Sequence, residues 1–252
     1  MTTRRWRRCL LVCLILLPAA FAQKAAPDFS GTWSHGGGGG GRGGATDKLQ
    51  TQWGGETPSY TPEGLARFNA NKPGKGPRQI PPALGNDPLG DANPPGLYRT
   101  LIYNRPFEFV QTSDKVVQLF EWAKIWRVIW TDGRPVPEDV VAGPYWYGYS
   151  VAKWEGETLV VQTLALDDRA WMDEWGTSFS SDAKIEERWK KTTADRLELT
   201  IKVTDPATFT KPWTSAPAVF NRVRGEEVLE MIFAPMDERE FNKRIRDPAA
   251  GK

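Results

Sequence analysis

The chain is poor in the side chains that most often perform chemistry. One histidine, His35, and two cysteines, Cys9 and Cys13, occur in 252 residues. A lone histidine removes the commonest acid/base group and metal ligand from almost every position. Charge of one sign is also missing, with 33 Lys plus Arg against 31 Asp plus Glu and a formal net charge of +2. Binding a polyanion needs a concentrated basic field, so no nucleic-acid partner is expected. No apolar run approaches the roughly 20 residues of a membrane-spanning helix, so no transmembrane segment is expected. A nucleophile elbow, a dinucleotide fingerprint and a phosphate loop are all absent, and the glycine tract from Gly36 lacks the Lys-Ser/Thr that a phosphate cradle requires. No cofactor and no metal are expected.

The N-terminus explains part of this balance. Arg4, Arg5, Arg7 and Arg8 precede an apolar run over residues 9–17, and Ala20-Phe21-Ala22 has the small-x-small form that precedes signal cleavage. Arg4-Arg5 could begin a twin-arginine signal, but Arg7 sits where that signal favours an apolar residue, so ordinary secretion is expected. Removal of residues 1–22 takes four arginines and both cysteines, leaving 29 basic against 31 acidic residues, a net −2. The expected mature protein is exported, periplasmic or extracellular. Disulfides, thiolate metal sites and a cysteine nucleophile are excluded from it.

What is present falls into two textures. Residues 36–96 hold 16 Gly and 9 Pro in 61 positions, a content that marks irregular chain. Before it, Phe29 to Trp33 reads as a first strand within residues 23–35. From residue 97 onward, short runs of alternating polarity are separated by turn residues. They cover residues 107–112, 116–122, 125–131, 145–154, 158–164, 184–191, 196–204 and 218–224. Such spacing indicates a sandwich or barrel, here a mainly β chain with an antiparallel barrel over 97–232 and a tail over 233–252. Residues 116–131 also fit helical spacing in part, but Val116, Val117, Ile125, Val128 and Ile129 favour a hairpin turning near Ala123-Lys124.

The faces of the runs carry the chemistry. Ile185 and Trp189 define an apolar face that also holds Glu187, while Lys184, Glu186, Arg188 and Lys190 face water. A carboxylate facing a core must be paired or must work as an acid. Arg127, which shares a face with Ile125 and Ile129, is the natural partner for a pair. In the 145–154 run, Trp146, Gly148, Ser150, Ala152 and Trp154 share a face opposite Tyr145, Tyr147, Tyr149 and Val151. Small residues there either leave a ligand pocket, if they point inward, or Gly148 marks a bulge and the tyrosines fill the core.

Gly31-Thr32-Trp33 on a first strand resembles the lipocalin-like (calycin) barrels. That resemblance implies that the Trp33 indole closes one barrel end under an arginine from a late strand, either Arg188 or Arg222. Residues 94–232 also resemble a family of exported bacterial proteins of unassigned activity. The resemblance is carried by Thr131-Asp132-Gly133-Arg134, Gly148-Tyr149-Ser150-Val151, the Trp154-to-Val161 segment, Trp171-Met172-Asp173, Glu187-Arg188-Trp189 and Lys211-Pro212-Trp213-Thr214. Relatives have histidines where this chain has Thr177, Phe179 and Lys184, and cysteines near Asn93 and Phe233. Their histidine or metal chemistry is therefore not carried over, and one tether between N-terminal loop and C-terminal strand is missing.

Asp167, Asp168, Asp173 and Glu174 alternate with Trp171 and Trp175, as a carbohydrate or polyphenol site would require. A solvated polar loop would look the same. The expected function is binding of a small hydrophobic or aromatic molecule, with Trp33, Arg127, Arg134, Trp146, Tyr149, Trp154, Trp171 and Trp189 as ligand-binding candidates. The alternative is an exported lyase, isomerase or hydrolase using Glu187 with Asp168 or Asp173 as acid/base groups.

Overall fold

In the computed structural model, residues 26–38, 47–91, 93–103, 105–141, 143–231 and 240–251 are described. The expected signal segment, its cleavage site at Ala22, most of the glycine tract and the Phe233 position lie outside them. The Phe29 to Trp33 segment and the eight alternating runs all form strands: β1 (Gly31–Gly38), β2 (Phe107–Gln111), β3 (Lys115–Phe120), β4 (Trp126–Trp130), β5 (Tyr149–Glu155), β6 (Thr158–Leu164), β7 (Lys184–Thr193), β8 (Arg196–Thr204) and β10 (Ala218–Arg222). A short β9 (Trp213–Thr214) pairs only with β8. Strands follow one another from β1 to β8, and β10 bonds to both β8 and β1, so the sheet is a closed nine-stranded barrel. Closure leaves no barrel edge open to another chain.

The hairpin at Ala123-Lys124 is present, and both residues take the left-handed conformation, at φ 58° and 51°. The pairing departs from a purely antiparallel barrel at one seam. β4 and β5 are parallel and share only the registers Ile129↔Ser150 and Trp130↔Val151. The chain over 131–148 returns to the barrel end where β4 began, and a bridge between Tyr145 and Leu166 fixes its arrival. The 145–154 run is accordingly shorter than its alternation suggests. Gly148, at φ 63°, closes a turn onto Tyr145 O at 3.1 Å, and β5 starts one residue later. A Cβ there would lie 2.6 Å from Thr163 Cγ2, so the glycine is needed for both conformation and close approach.

Alternation places Trp33, Phe107, Phe109, Phe120, Ile129, Val161, Ile185, Trp189, Leu199, Ile201 and Phe220 in the core, all buried. Their rings meet mostly edge to face, as Phe109 does with Trp189 at a centroid distance of 5.3 Å. Both barrel ends are covered. At one, Phe29 packs edge-on against Trp154 at 5.1 Å. At the other, α2 (Leu97–Ile102) inserts Leu97, Tyr98 and Leu101, each 1% exposed. Residues 97–102 are thus a plug helix, where the alternating texture was expected to begin.

Residues 47–91 are irregular in outline but packed in place. Trp53 and Phe68 are buried, and the Trp53 indole donates to Met172 O at 2.9 Å. Within this segment α1 (Pro62–Ala70) starts at Thr61, whose hydroxyl accepts from Gly64 N. A Cβ on Gly64 would lie 2.1 Å from Thr208 O, so glycine allows the helix to touch the barrel loop. Alanine is intrinsically better than glycine in a helix by about 1 kcal/mol. Overpacking against rigid backbone costs about 1–3 kcal/mol. Gly64→Ala should therefore lower the thermal unfolding midpoint, and a raised midpoint would show that α1 is not held by this contact.

Candidate functional site

The barrel centre is polar at one point only among the described residues. Glu187 on β7, fully buried, receives a two-pronged ion pair from Arg127 on β4, with Nη1 to Oε1 at 2.8 Å and Nη2 to Oε2 at 2.7 Å. Tyr98 OH and Thr163 Oγ1 donate to Oε1 at 3.1 and 3.2 Å, and Trp189 Nε1 donates to Oε2 at 2.8 Å. Arg127 Nε donates to Gln118 Oε1 at 2.8 Å, while Gln118 Nε2 has no partner. Burial alone pushes the Glu187 carboxyl up; the Arg127 charge and the donated hydrogen bonds outweigh it and hold the group below its ordinary value. Burial and the adjacent Glu187 charge push the Tyr98 phenol well up.

The small-residue face does point inward. The space above it is occupied, because Arg127 Nη1 reaches Ser150 Oγ at 3.4 Å and Phe29 covers Trp154. Instead of opening a ligand pocket, the small Ser150 makes room for a guanidinium. Trp33 and Trp189 are 0% exposed. Arg222, not Arg188, lies over Trp33, its guanidinium 4.6 Å from the ring centroid and its Nη2 donating to Ser30 O at 2.9 Å. Arg188 faces outward onto Glu155 at 2.8 Å.

The acids of the 165–183 loop do not converge. Asp167 is bound by Arg169, whose guanidinium also lies 4.6 Å over Trp146, and Asp168 is exposed. Asp173, 0% exposed, accepts from Gln52 N, Trp175 N, Thr177 N and Thr177 Oγ1, and so fastens residues 47–91 to this loop. Glu174 meets Lys75 at 2.6 Å. Trp171 is buried, with Arg99 5.8 Å over its ring. On the outer wall, Arg134 stacks on Trp130 at 3.5 Å with Tyr149 beside it, and Asp132 neutralises it at 2.6 Å.

A groove with room for a ligand lies elsewhere on the outer wall. Thr32, Glu108, Leu119 and Trp126 are register partners in one row across β1 to β4. After β10 the chain crosses this row as a strap over residues 223–231. The strap is tied at Val223 N to Thr32 O, at Leu229 N to Glu121 Oε2, and by a bridge between Met231 and Trp122. Between strap and wall is a groove of about 630 Å³, lined also by Lys124, Ile125, Glu226 and Glu227, with Trp126 63% exposed. Sequence reasoning named none of these residues as site residues. One signal was available: placing Arg127 and Ile129 inward leaves Trp126 outward, where a large indole is unusual.

Comparison with protein families, with curated proteins and with solved structures finds no match.

Removing one member of a buried pair strands the other charge and costs about 3–5 kcal/mol, whereas apolar replacement of both is often close to neutral. In denaturant unfolding, Glu187→Gln should lose stability on that scale and Arg127→Met/Glu187→Leu much less. The depressed carboxyl contributes stability that is complete above its unfolded value of about 4.3 and is lost as pH falls through the lower folded value. The wild type should therefore weaken more steeply with acid than the double variant. Parallel acid limbs would show that the pair does not contribute in this way.

Proposed function

We propose that the protein is an exported, lipocalin-like binder of a small hydrophobic or aromatic molecule, and that the ligand lies in the outer groove against Trp126. The carrying observation is a largely exposed indole in a cavity whose other apolar walls are Leu119, Phe120, Ile125 and Val228. The groove's volume falls within the usual range of about 300–1,000 Å³ for small-molecule sites. The closed barrel and the Trp33–Arg222 stack support the lipocalin-like reading. The N-terminal basic and apolar segments before Ala22 support export.

An acid/base role has less support. Five donors occupy the Glu187 oxygens, and the groove does not reach them. Asp168 and Asp173 lie apart in function, one exposed and one capping backbone.

Titration with the neutral fluorophore N-phenyl-1-naphthylamine tests the site. Saturable fluorescence enhancement is expected, weakened roughly tenfold or more in Trp126→Ala, a loss within the range for truncating an aromatic anchor. The melting temperature should stay nearly unchanged, because surface substitutions usually shift stability by less than about 0.5 kcal/mol. Equal affinity in wild type and variant would place the ligand away from this groove.

A further inference from the structure

We infer that the ligand class favoured by the groove is the small aromatic cation, a flat ring bearing an ammonium or amidinium group. This inference rests on the outer groove being the binding site. Glu108 projects from β2 into one wall, and Glu226 and Glu227 overhang it from the strap. Lys124 is the single cationic side chain in the lining, so the formal balance is three negative charges against one positive, or −2. Among the described residues none of Glu108, Glu226 and Glu227 has an ion-pair partner. The nearby guanidiniums are already engaged, Arg105 with Glu121 at 3.8 Å and Arg224 with Asp195 at 2.6 Å. Glu121, behind the strap, is engaged by Arg105 and by the strap's Leu229 N–H and does not enter this balance.

Two recognition elements therefore sit across one groove. The Trp126 face attracts a cation through its ring quadrupole and an apolar ring through dispersion. Carboxylates that lack internal partners, Glu108 on the same wall and Glu226 and Glu227 on the strap, favour a positive ligand and disfavour a negative one. A neutral aromatic gains only from the indole and the apolar wall. An aromatic carboxylate is repelled. The strap is fixed at both ends, and Gly225 to Glu227 between them are exposed, so both strap carboxylates are presented on a tethered segment.

The test uses three probes with one ring: (2-naphthylmethyl)trimethylammonium, 2-naphthylmethanol and 2-naphthylacetate, each titrated by calorimetry into the mature chain at low ionic strength. The cation should bind roughly tenfold more tightly than the alcohol, with the carboxylate weakest, as combined cation–π and carboxylate attraction predicts. In Glu226→Gln/Glu227→Gln the preference should fall to about twofold, and 0.5 M salt should reduce it similarly, because exposed charges are screened within a few ångströms there. An alcohol that binds as well as the cation overturns the charge preference while leaving the aromatic site standing. A cation preference that survives in the double variant overturns the role given to the strap carboxylates. Failure of all three probes to bind the wild type overturns the site itself.

Discussion

The interior of this barrel is organised around one buried ion pair. Arg127 and Glu187 bring opposite charges into a shell of phenylalanine and tryptophan, where an unpaired charge would not be tolerated. The rest of the cross-section follows from that choice. Ser150 is small where the guanidinium reaches it. Tyr98 and Trp189 serve as core fillers that also carry a donor. Thr163 and Gln118 complete the pair's hydrogen bonding from neighbouring strands. The pair also joins β4 to β7 across the lumen, which the sheet's own ladder does not do.

Much of this was legible in the residues. Two-residue alternation located eight of the nine barrel strands, and the short apolar island Phe29 to Trp33 located the first. Glu187 falling in phase with Ile185 and Trp189, and Arg127 with Ile129, was enough to anticipate their pairing. That Trp33 would lie under a late-strand arginine came only from the resemblance carried by Gly31-Thr32-Trp33, and the fold chose Arg222 over Arg188 because Arg222 shares the inward phase of Phe220.

What escaped depended on contacts between distant segments. Glycine and proline content describes local backbone preference and says nothing about docking, so the burial of Trp53 and Phe68 within residues 47–91 left no periodic trace. Asp173 looked like a site acid because a capping carboxylate and a catalytic one have the same letter; only its four backbone and hydroxyl donors distinguish them. The parallel β4–β5 seam depends on the path of residues 132–144, which has no alternation to read. The outer groove joins Trp126 to Glu226 and Glu227 through a strap whose course is set by tertiary contacts alone.

The pairing of the first strand with the last has a temporal meaning. Ser30 and Arg222, bonded across the barrel end, are 192 positions apart, and β10 supplies the link between β1 and β8. A chain synthesised from its N-terminus holds β1 without its closing partner until β2 to β8 have been made. Long-range pairings of this kind slow folding, since loop-closure entropy must be overcome before the contact forms. Ring closure is therefore a late event by construction. Until β10 has been released, the nascent chain cannot hold a closed ring.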